Sequence, residues 1–164
     1  MWKRLLTHLC TTRWQLRNAF TPAIVEDIER AIRASERQHA GELRVALEAA
    51  LGLDDLLTGV TPRARALEVF NELRMWDTEQ DNGVLIYVLF ADHALEIVAD
   101  RGFNAHVDDA TWRELCERAT REFHAGRYGP GLARLVEEVG ALVARHYPPR
   151  PDDLNELPDS ALFL

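Results

Sequence analysis

The pattern of apolar and polar positions predicts three β-strands. Residues 84–90 (VLIYVLF) form the most apolar run, and their length and β-branched and aromatic content favour a strand buried on both faces. A short polar break at residues 91–93 precedes a second run at residues 95–99, so we expect an antiparallel hairpin. Residues 42–47 (ELRVAL) alternate between apolar and polar side chains and are the third predicted strand.

Apolar residues recur at helical spacing in four other stretches. Two of them begin with Thr-Pro, in which threonine caps the helix and proline takes its first position. The predicted helices are residues 22–38, residues 61–76, a helix that Asp108 and Asp109 cap and that extends to residue 123, and residues 132–146. The glycine-rich residues 125–131 are interpreted as a helix junction. Residues 49–59 are either the end of a strand or a short turn of helix.

This order of elements predicts an α/β fold. Residues 42–47 and 84–90 are joined through a helix, which indicates a parallel βαβ crossover. The crossover and the hairpin form a small mixed sheet, flanked by helices as a three-layer α/β/α sandwich. We expect residues 21–147 to be the domain, residues 1–20 a basic amphipathic helix, and residues 148–164 an acidic, proline-containing tail that is disordered or loosely draped.

The predicted topology gathers polar residues at one end of the sheet. The loop that enters strand 84–90 and the loop that leaves strand 95–99 must meet there, and the crossover adds the start of strand 42–47. Carboxylate and amide oxygens of this kind suit hard divalent cations. The candidate metal ligands are Glu42, Asp81, Asn82 and Asp100, with Asp77 and Glu79 as outer candidates. Arg101 could bind phosphate oxygens, and His106 could donate a proton.

Each candidate also has a simpler interpretation. The Asp81-Asn82-Gly83 sequence fits an ordinary turn, and Asp100 with Arg101 fits a local ion pair of little energy. Glu42 could be a solvent-facing strand residue and His106 an ordinary loop histidine. His93 is excluded because it falls in the hairpin turn at the opposite end of the sheet.

Composition narrows the function. The net charge of −8 argues against nucleic acid as a partner, but residues 1–25 carry +4, which leaves −12 for the remainder. Cys10 and Cys116 form no metal-ligand or disulfide pattern, and we see no export signal and no transmembrane run, so we expect a cytoplasmic protein. The basic residues 2–20 could pack on the domain's own core or bind an anionic surface at the periphery of the inner membrane.

Several segments carry a family resemblance. They are residues 41–45 (GELRV), 81–87 (DNGVLIY), 96–102 (EIVADRG) and 123–128 (FHAGRY). With them, residues 22–147 resemble the TPM domain, named for a thylakoid-lumen phosphatase-like protein, a photosystem II repair protein and a modulator of acetylcholine receptors, in its short, stand-alone bacterial form. The resemblance implies an α/β sandwich, binding of divalent cations, chiefly calcium, and the acid-phosphatase activity reported for some members.

Three functions follow as hypotheses. The first is a module that binds an unidentified protein partner and is tuned by a divalent cation, expected to be Ca²⁺, with Mg²⁺ and Mn²⁺ as alternatives. The second is a metal-dependent phosphomonoester hydrolase, with Asp81, Asp100 and Arg101 as candidate catalytic residues. The third is a membrane adaptor acting through residues 2–20. The first ranks above the second because no residue is a compelling nucleophile or tuned acid.

Overall fold

The computed structural model describes residues 2–150, 158 and 160–164. Its helices are α1 (Trp2–Cys10), α2 (Arg13–Ala19), α3 (Pro22–Glu36), α4 (Leu53–Thr58), α5 (Pro62–Glu72), α6 (Asp109–His124) and α7 (Tyr128–His146). Its strands are β1 (Glu42–Glu48), β2 (Gly83–Leu89), β3 (Ala94–Ala99) and β4 (Leu162–Phe163). Two 3-10 turns, Phe90–Asp92 and Arg101–Phe103, flank β3.

The strands form one mixed sheet in the order β3-β2-β1-β4. β1 and β2 are parallel, with Glu42 opposite Gly83, whereas β2 and β3 are antiparallel, with Val84 opposite Ala99. The predicted parallel crossover and antiparallel hairpin are therefore confirmed.

Two apolar cores lie on the two faces of this sheet. Alternate strand residues such as Val45 and Ile86 pack with α3, α6 and α7, and the intervening residues, such as Ala46 and Leu85, pack with α4 and α5. This alternation is the pleat of a sheet that is buried on both faces. The predicted α/β sandwich is confirmed. Residues 49–59, which the sequence left open, contribute α4.

The N-terminal basic segment differs from the prediction of one helix. It forms α1 and α2, which are separated at Thr11 and Thr12. The Thr12 side chain accepts a hydrogen bond from the Gln15 backbone N–H while the Gln15 side chain accepts one from the Thr12 backbone N–H. This capping box starts a new helix and so divides the segment.

Two helix boundaries also differ from the prediction. α7 begins at Tyr128 rather than at residue 132, because Pro130 falls in its first turn, where a helix tolerates proline. α5 ends at Glu72, and Arg74 follows with a left-handed φ of 52°, so the helix does not reach residue 76.

The end of the chain is more ordered than predicted. Leu162 and Phe163 pair in parallel with Ala46 and Leu47, and the backbone N–H of Leu164 donates to the Leu47 carbonyl at 3.0 Å. The prediction of a loosely draped tail is wrong for these residues, because their apolar side chains join both cores while their backbone covers the open edge of β1. Residues 151–157 and 159, the rest of the predicted tail, lie outside the described residues.

Of the helices that the structure describes, none combines the length and the apolar content that crossing a membrane requires.

Candidate functional site

The starts of β1 and β2 and the end of β3 meet at one end of the sheet. Glu42 lies opposite Gly83, and the Asp100 backbone N–H donates to the Gly83 carbonyl at 2.8 Å. Glu42 and Asp100 therefore flank Gly83, and Asp81 and Asn82 immediately precede it. The predicted convergence of these positions is confirmed, while their role as metal ligands stays a prediction.

We call this end of the sheet, with Glu42, Asp81, Asn82 and Asp100, the acidic end. Asp81 and Arg101 form its outer part. The Arg101 guanidinium donates to Asp81 Oδ1 at 2.7 Å, and this hydrogen bond lowers the pKa of Asp81. Asp81 has a left-handed φ of 52°, as a turn residue can, and its carbonyl accepts from the Gly102 backbone N–H at 3.0 Å. The partner of the Arg101 side chain is thus Asp81 and not its sequence neighbour Asp100.

Asp100 is the inner carboxylate, with only 8% of the residue exposed. Its Oδ1 accepts the backbone N–H of Arg101 at 2.7 Å. Its Oδ2 is buried and has no hydrogen-bond partner among the described residues. Burial raises the pKa of Asp100, and the negative charge of Asp81 raises it further. One carboxylate oxygen is therefore both desolvated and unsatisfied.

Asn82 fixes the backbone of the site. Its Nδ2 donates to the Ala40 carbonyl at 2.7 Å, and its own backbone N–H donates to Thr78 Oγ1 at 3.1 Å. Its Oδ1 is buried without a hydrogen-bond partner in the described part of the chain. Asn82 thus ties the start of β2 to the loop before β1 and leaves one more amide oxygen unsatisfied.

Glu42 is buried, with 6% exposed, so the interpretation of a solvent-facing strand residue is wrong. Residues in register on neighbouring strands share a face of the sheet, which places Glu42, Gly83 and Asp100 side by side. A side chain at Gly83 would collide with the carbonyl oxygen of Met75. A backbone oxygen therefore occupies the gap between the two acidic positions.

Tyr147 belongs to this end of the sheet and was absent from the sequence prediction. Gly102 has no room for a side chain because the Asp81 carbonyl and the Tyr147 hydroxyl both lie against it. Burial raises the pKa of Tyr147, and the charges of Asp81 and Asp100 add to that effect. In the sequence Tyr147 is marked only as an aromatic residue before the prolines that follow α7. The position of its side chain depends on where that helix ends.

The remaining candidates lie at the rim or elsewhere. Asp77 and Glu79 are exposed in the loop before β2. His106 is also exposed, and its ring stacks on that of His146 with centroids 5.0 Å apart. His93 follows β2 at the opposite end and contacts the ring of His124, which agrees with its exclusion.

The acidic end offers few formal charges to a metal. Among the residues that the structure describes, no three His, Cys, Asp or Glu side chains form a group that could hold a metal ion. The three predicted carboxylate ligands, Glu42, Asp81 and Asp100, thus do not form one such group. A cation here would be held by the carboxylates of Asp81 and Asp100 together with neutral oxygens from amides such as Asn82, backbone carbonyls and water. Calcium accepts such mixed oxygen ligands.

The fold and this acidic end define an α/β sandwich protein that has buried and exposed acidic residues at the end of the sheet where β1 and β2 begin. The model of the TPM domain matches residues 15–142, and the chain therefore belongs to the TPM domain family. No curated protein matches the chain.

Solved structures agree with this assignment. The chain is similar to the BA42 protein of the psychrophilic bacterium Bizionia argentinensis, with 33% identity, a TM-score of 0.77, and coverage of 88% of this chain and 94% of that one. The fold alone is shared with the N-terminal domain of a protein from P. gingivalis, at 17% identity and TM-score 0.63, over 79% of this chain and 82% of that one. It is also shared with the N-terminal domain of the cg2496 protein from Corynebacterium glutamicum, at 13% identity and TM-score 0.54, over 87% and 79% of the two chains.

Proposed function

We propose that this TPM-domain protein binds a divalent cation at the acidic end of its sheet, and that the cation tunes the docking of a protein partner. The observation that carries the proposal is the buried Oδ2 of Asp100, which has no hydrogen-bond partner among the residues that the structure describes. An ionised oxygen that is buried without a donor is costly, and a bound cation would remove that cost. The charge of the neighbouring Asp81, which disfavours ionisation of Asp100, would then become an attraction to the same ion.

Calcium is the expected ion. It accepts six to eight oxygens in irregular geometry, whereas Mg²⁺ demands a near-octahedral arrangement and gives up its waters reluctantly. The site mixes two carboxylates with neutral oxygens, which favours the more permissive ion. Because two carboxylates supply little charge, we expect a dissociation constant of about 0.1–1 mM.

The Arg101–Asp81 pair supports the proposal that a cation tunes the docking of a partner. It joins the loop before β2 to the turn after β3, and the Arg101 side chain is 75% exposed. A cation that takes oxygens of Asp81 competes with the guanidinium for the same carboxylate. Arg101 would then be released and become available to an acidic group on a partner.

A metal-dependent phosphomonoester hydrolase is the second candidate. A released Arg101 beside a cation could bind phosphate oxygens, and the cation could polarise the ester. Tyr147 offers a nearby hydroxyl, but its raised pKa keeps it protonated and makes it a poor nucleophile. We rank hydrolysis below cation-tuned binding for this reason.

Calorimetric titration of metal-free protein with Ca²⁺, Mg²⁺ and Mn²⁺ tests the proposal. We expect Ca²⁺ to bind the wild type, binding to be lost in Asp100→Asn and weakened in Asp81→Ala, and the exposed Asp27→Asn on α3 to behave as wild type. Backbone amide resonances of residues 81–83 and 100–102 should shift with Ca²⁺. An absence of heat and shifts at about 10 mM Ca²⁺ contradicts the proposal, since that exceeds the expected dissociation constant at least tenfold.

The same protein, incubated with a panel of phosphomonoesters, separates the two functions. Cation binding without turnover supports the binding module. Metal-dependent turnover that Asp100→Asn abolishes and Asp27→Asn retains would move the conclusion to the hydrolase.

A further inference from the structure

Helix α1 presents an apolar stripe to solvent. Trp2, Leu6 and Leu9 are exposed by 74%, 59% and 56%. Their spacing of four and three residues places them in one row along the helix. Large exposed side chains that adjoin one another mark interaction surfaces more often than isolated ones do.

The opposite side of α1 is fixed to the domain. His8 is buried, its Nε2 lies 2.9 Å from Asp92 Oδ1, and its Nδ1 accepts the Leu51 backbone N–H at 3.0 Å. The Arg4 guanidinium donates to both oxygens of Asp92, at 3.0 and 2.8 Å to Oδ2 and 3.2 Å to Oδ1. Rotating α1 to bury its stripe would break all these bonds, so the stripe is held outward by the fold.

Charge identifies the kind of partner. No acidic residue occurs in residues 1–25, and Arg4 is neutralised by Asp92. Lys3, Arg13 and Arg17 are exposed and make no ion pair with the described residues. The next helix, α2, adds Trp14, which is 70% exposed. Tryptophan and leucine beside uncompensated cations are typical of helices that lie in the headgroup region of an anionic bilayer.

We infer that α1 and α2 dock the domain on an anionic lipid surface. Trp2, Leu6 and Leu9 enter the boundary between headgroups and acyl chains, and Lys3, Arg13 and Arg17 contact the headgroup phosphates. The remainder of the chain, with its charge of −12, is repelled by the same surface and stays in water. A lipid surface is favoured over a second copy of this chain because a symmetric pairing would set the same cations against each other. This inference does not depend on the proposed cation site.

Co-sedimentation of the full chain with vesicles tests it. We expect binding to vesicles of phosphatidylglycerol and phosphatidylcholine and little binding to phosphatidylcholine alone. Leu6→Glu should weaken the apparent affinity about tenfold or more, because it places a carboxylate in the apolar stripe. The double variant Lys3→Glu, Arg13→Glu should bind less tightly and reduce the salt dependence of binding. Leu67→Glu, at an exposed leucine of α5, is the matched control and should bind as wild type.

Trp2→Ala is a second variant that introduces no charge, and thermal unfolding of every variant verifies that the fold is retained. The inference is overturned if the wild type does not bind anionic vesicles, or if Leu6→Glu and Trp2→Ala both bind as well as Leu67→Glu does. It is also overturned if sedimentation velocity shows a dimer that Leu6→Glu dissociates while no vesicle binding occurs, because the stripe would then belong to a contact between copies.

Discussion

Carboxylates lie at both ends of the sheet, partly buried at one and buried at the other, and their surroundings differ. Where β1 ends, Glu48 Oε2 accepts hydrogen bonds from the Tyr87 hydroxyl at 2.6 Å and from Arg65 Nε at 3.0 Å. Just beyond the end of β2, Asp92 accepts from Arg4 and is bonded to His8. Where these strands start, the buried Oδ2 of Asp100 has no such partner in the described part of the chain.

The electrostatics of the two ends follow the same division. Burial acts to raise the pKa of Asp92, but the hydrogen bonds from Arg4 and His8 outweigh it, and the pKa is lowered. Burial also raises the pKa of Asp100, and there the hydrogen bond from the Arg101 backbone does not compensate. The end with paired charges therefore stabilises the fold, whereas the end with an unsatisfied oxygen reduces stability and is suited to a ligand.

Replacing Glu48, at the end with paired charges, should have the largest effect on stability. Glu48→Ala leaves the buried Tyr87 hydroxyl without its acceptor and leaves Arg65 with only the exposed Glu68 and Glu72, so we expect a loss of about 2 kcal/mol in the free energy of unfolding. Urea denaturation at neutral pH measures it. Glu68→Ala removes an exposed partner of the same arginine and should change stability by less than about 0.5 kcal/mol. A similar small change in both variants would show that the Glu48 network does not stabilise the fold.

Much of the fold was predictable because it rests on local patterns. The Thr-Pro starts fixed the beginnings of α3 and α5, and the apolar run at residues 84–90 indicated the central strand to within one residue. The pairing of Leu162 and Phe163 with β1 was not predictable. A two-residue strand has no period of its own, and its place depends on which edge of the sheet the rest of the fold leaves open.

The candidate site was predictable in its topology but not in its chemistry. Strand order alone brings the positions of Glu42, Asp81 and Asp100 to one end of the sheet, and that order was predicted from the sequence. Which carboxylates are buried, and which of them Arg101 binds, depends on loop conformations such as the left-handed backbone of Asp81. Tyr147 reaches the site only through the packing of α7.

Acid should affect the two ends with opposite signs. In the folded protein the pKa of Asp100 lies above the usual value of 3.8, so its ionisation destabilises the fold as pH rises from 3.8 through that raised pKa. Without metal, Asp100→Asn should therefore be more stable than wild type at pH 7, by less than about 1 kcal/mol, and the gap should close as pH falls toward the usual value.

Asp92→Asn should show the reverse. The pKa of Asp92 is lowered, so its stabilising contribution is complete above 3.8 and is lost as pH falls through the lowered pKa. The variant should be less stable than wild type at pH 7 and approach it in acid. Thermal unfolding from about pH 3 to pH 8, with chelator present, measures both variants, and a parallel pH dependence of the two would remove the distinction between the ends.

The smallest effect on stability is expected from Arg101→Ala. The pair with Asp81 is exposed, so thermal unfolding should remain that of the wild type. Removing the guanidinium raises the pKa of Asp81 toward its usual value and also frees the carboxylate for a cation. Because the second effect removes a competing positive charge, we expect severalfold tighter Ca²⁺ binding by calorimetry at neutral pH, where Asp81 is ionised in either case.

Arg127→Ala, which breaks a comparable exposed pair with Glu122, should leave Ca²⁺ binding unchanged. Weaker binding in Arg101→Ala alone would instead assign Arg101 the role of holding Asp81 in position for the cation.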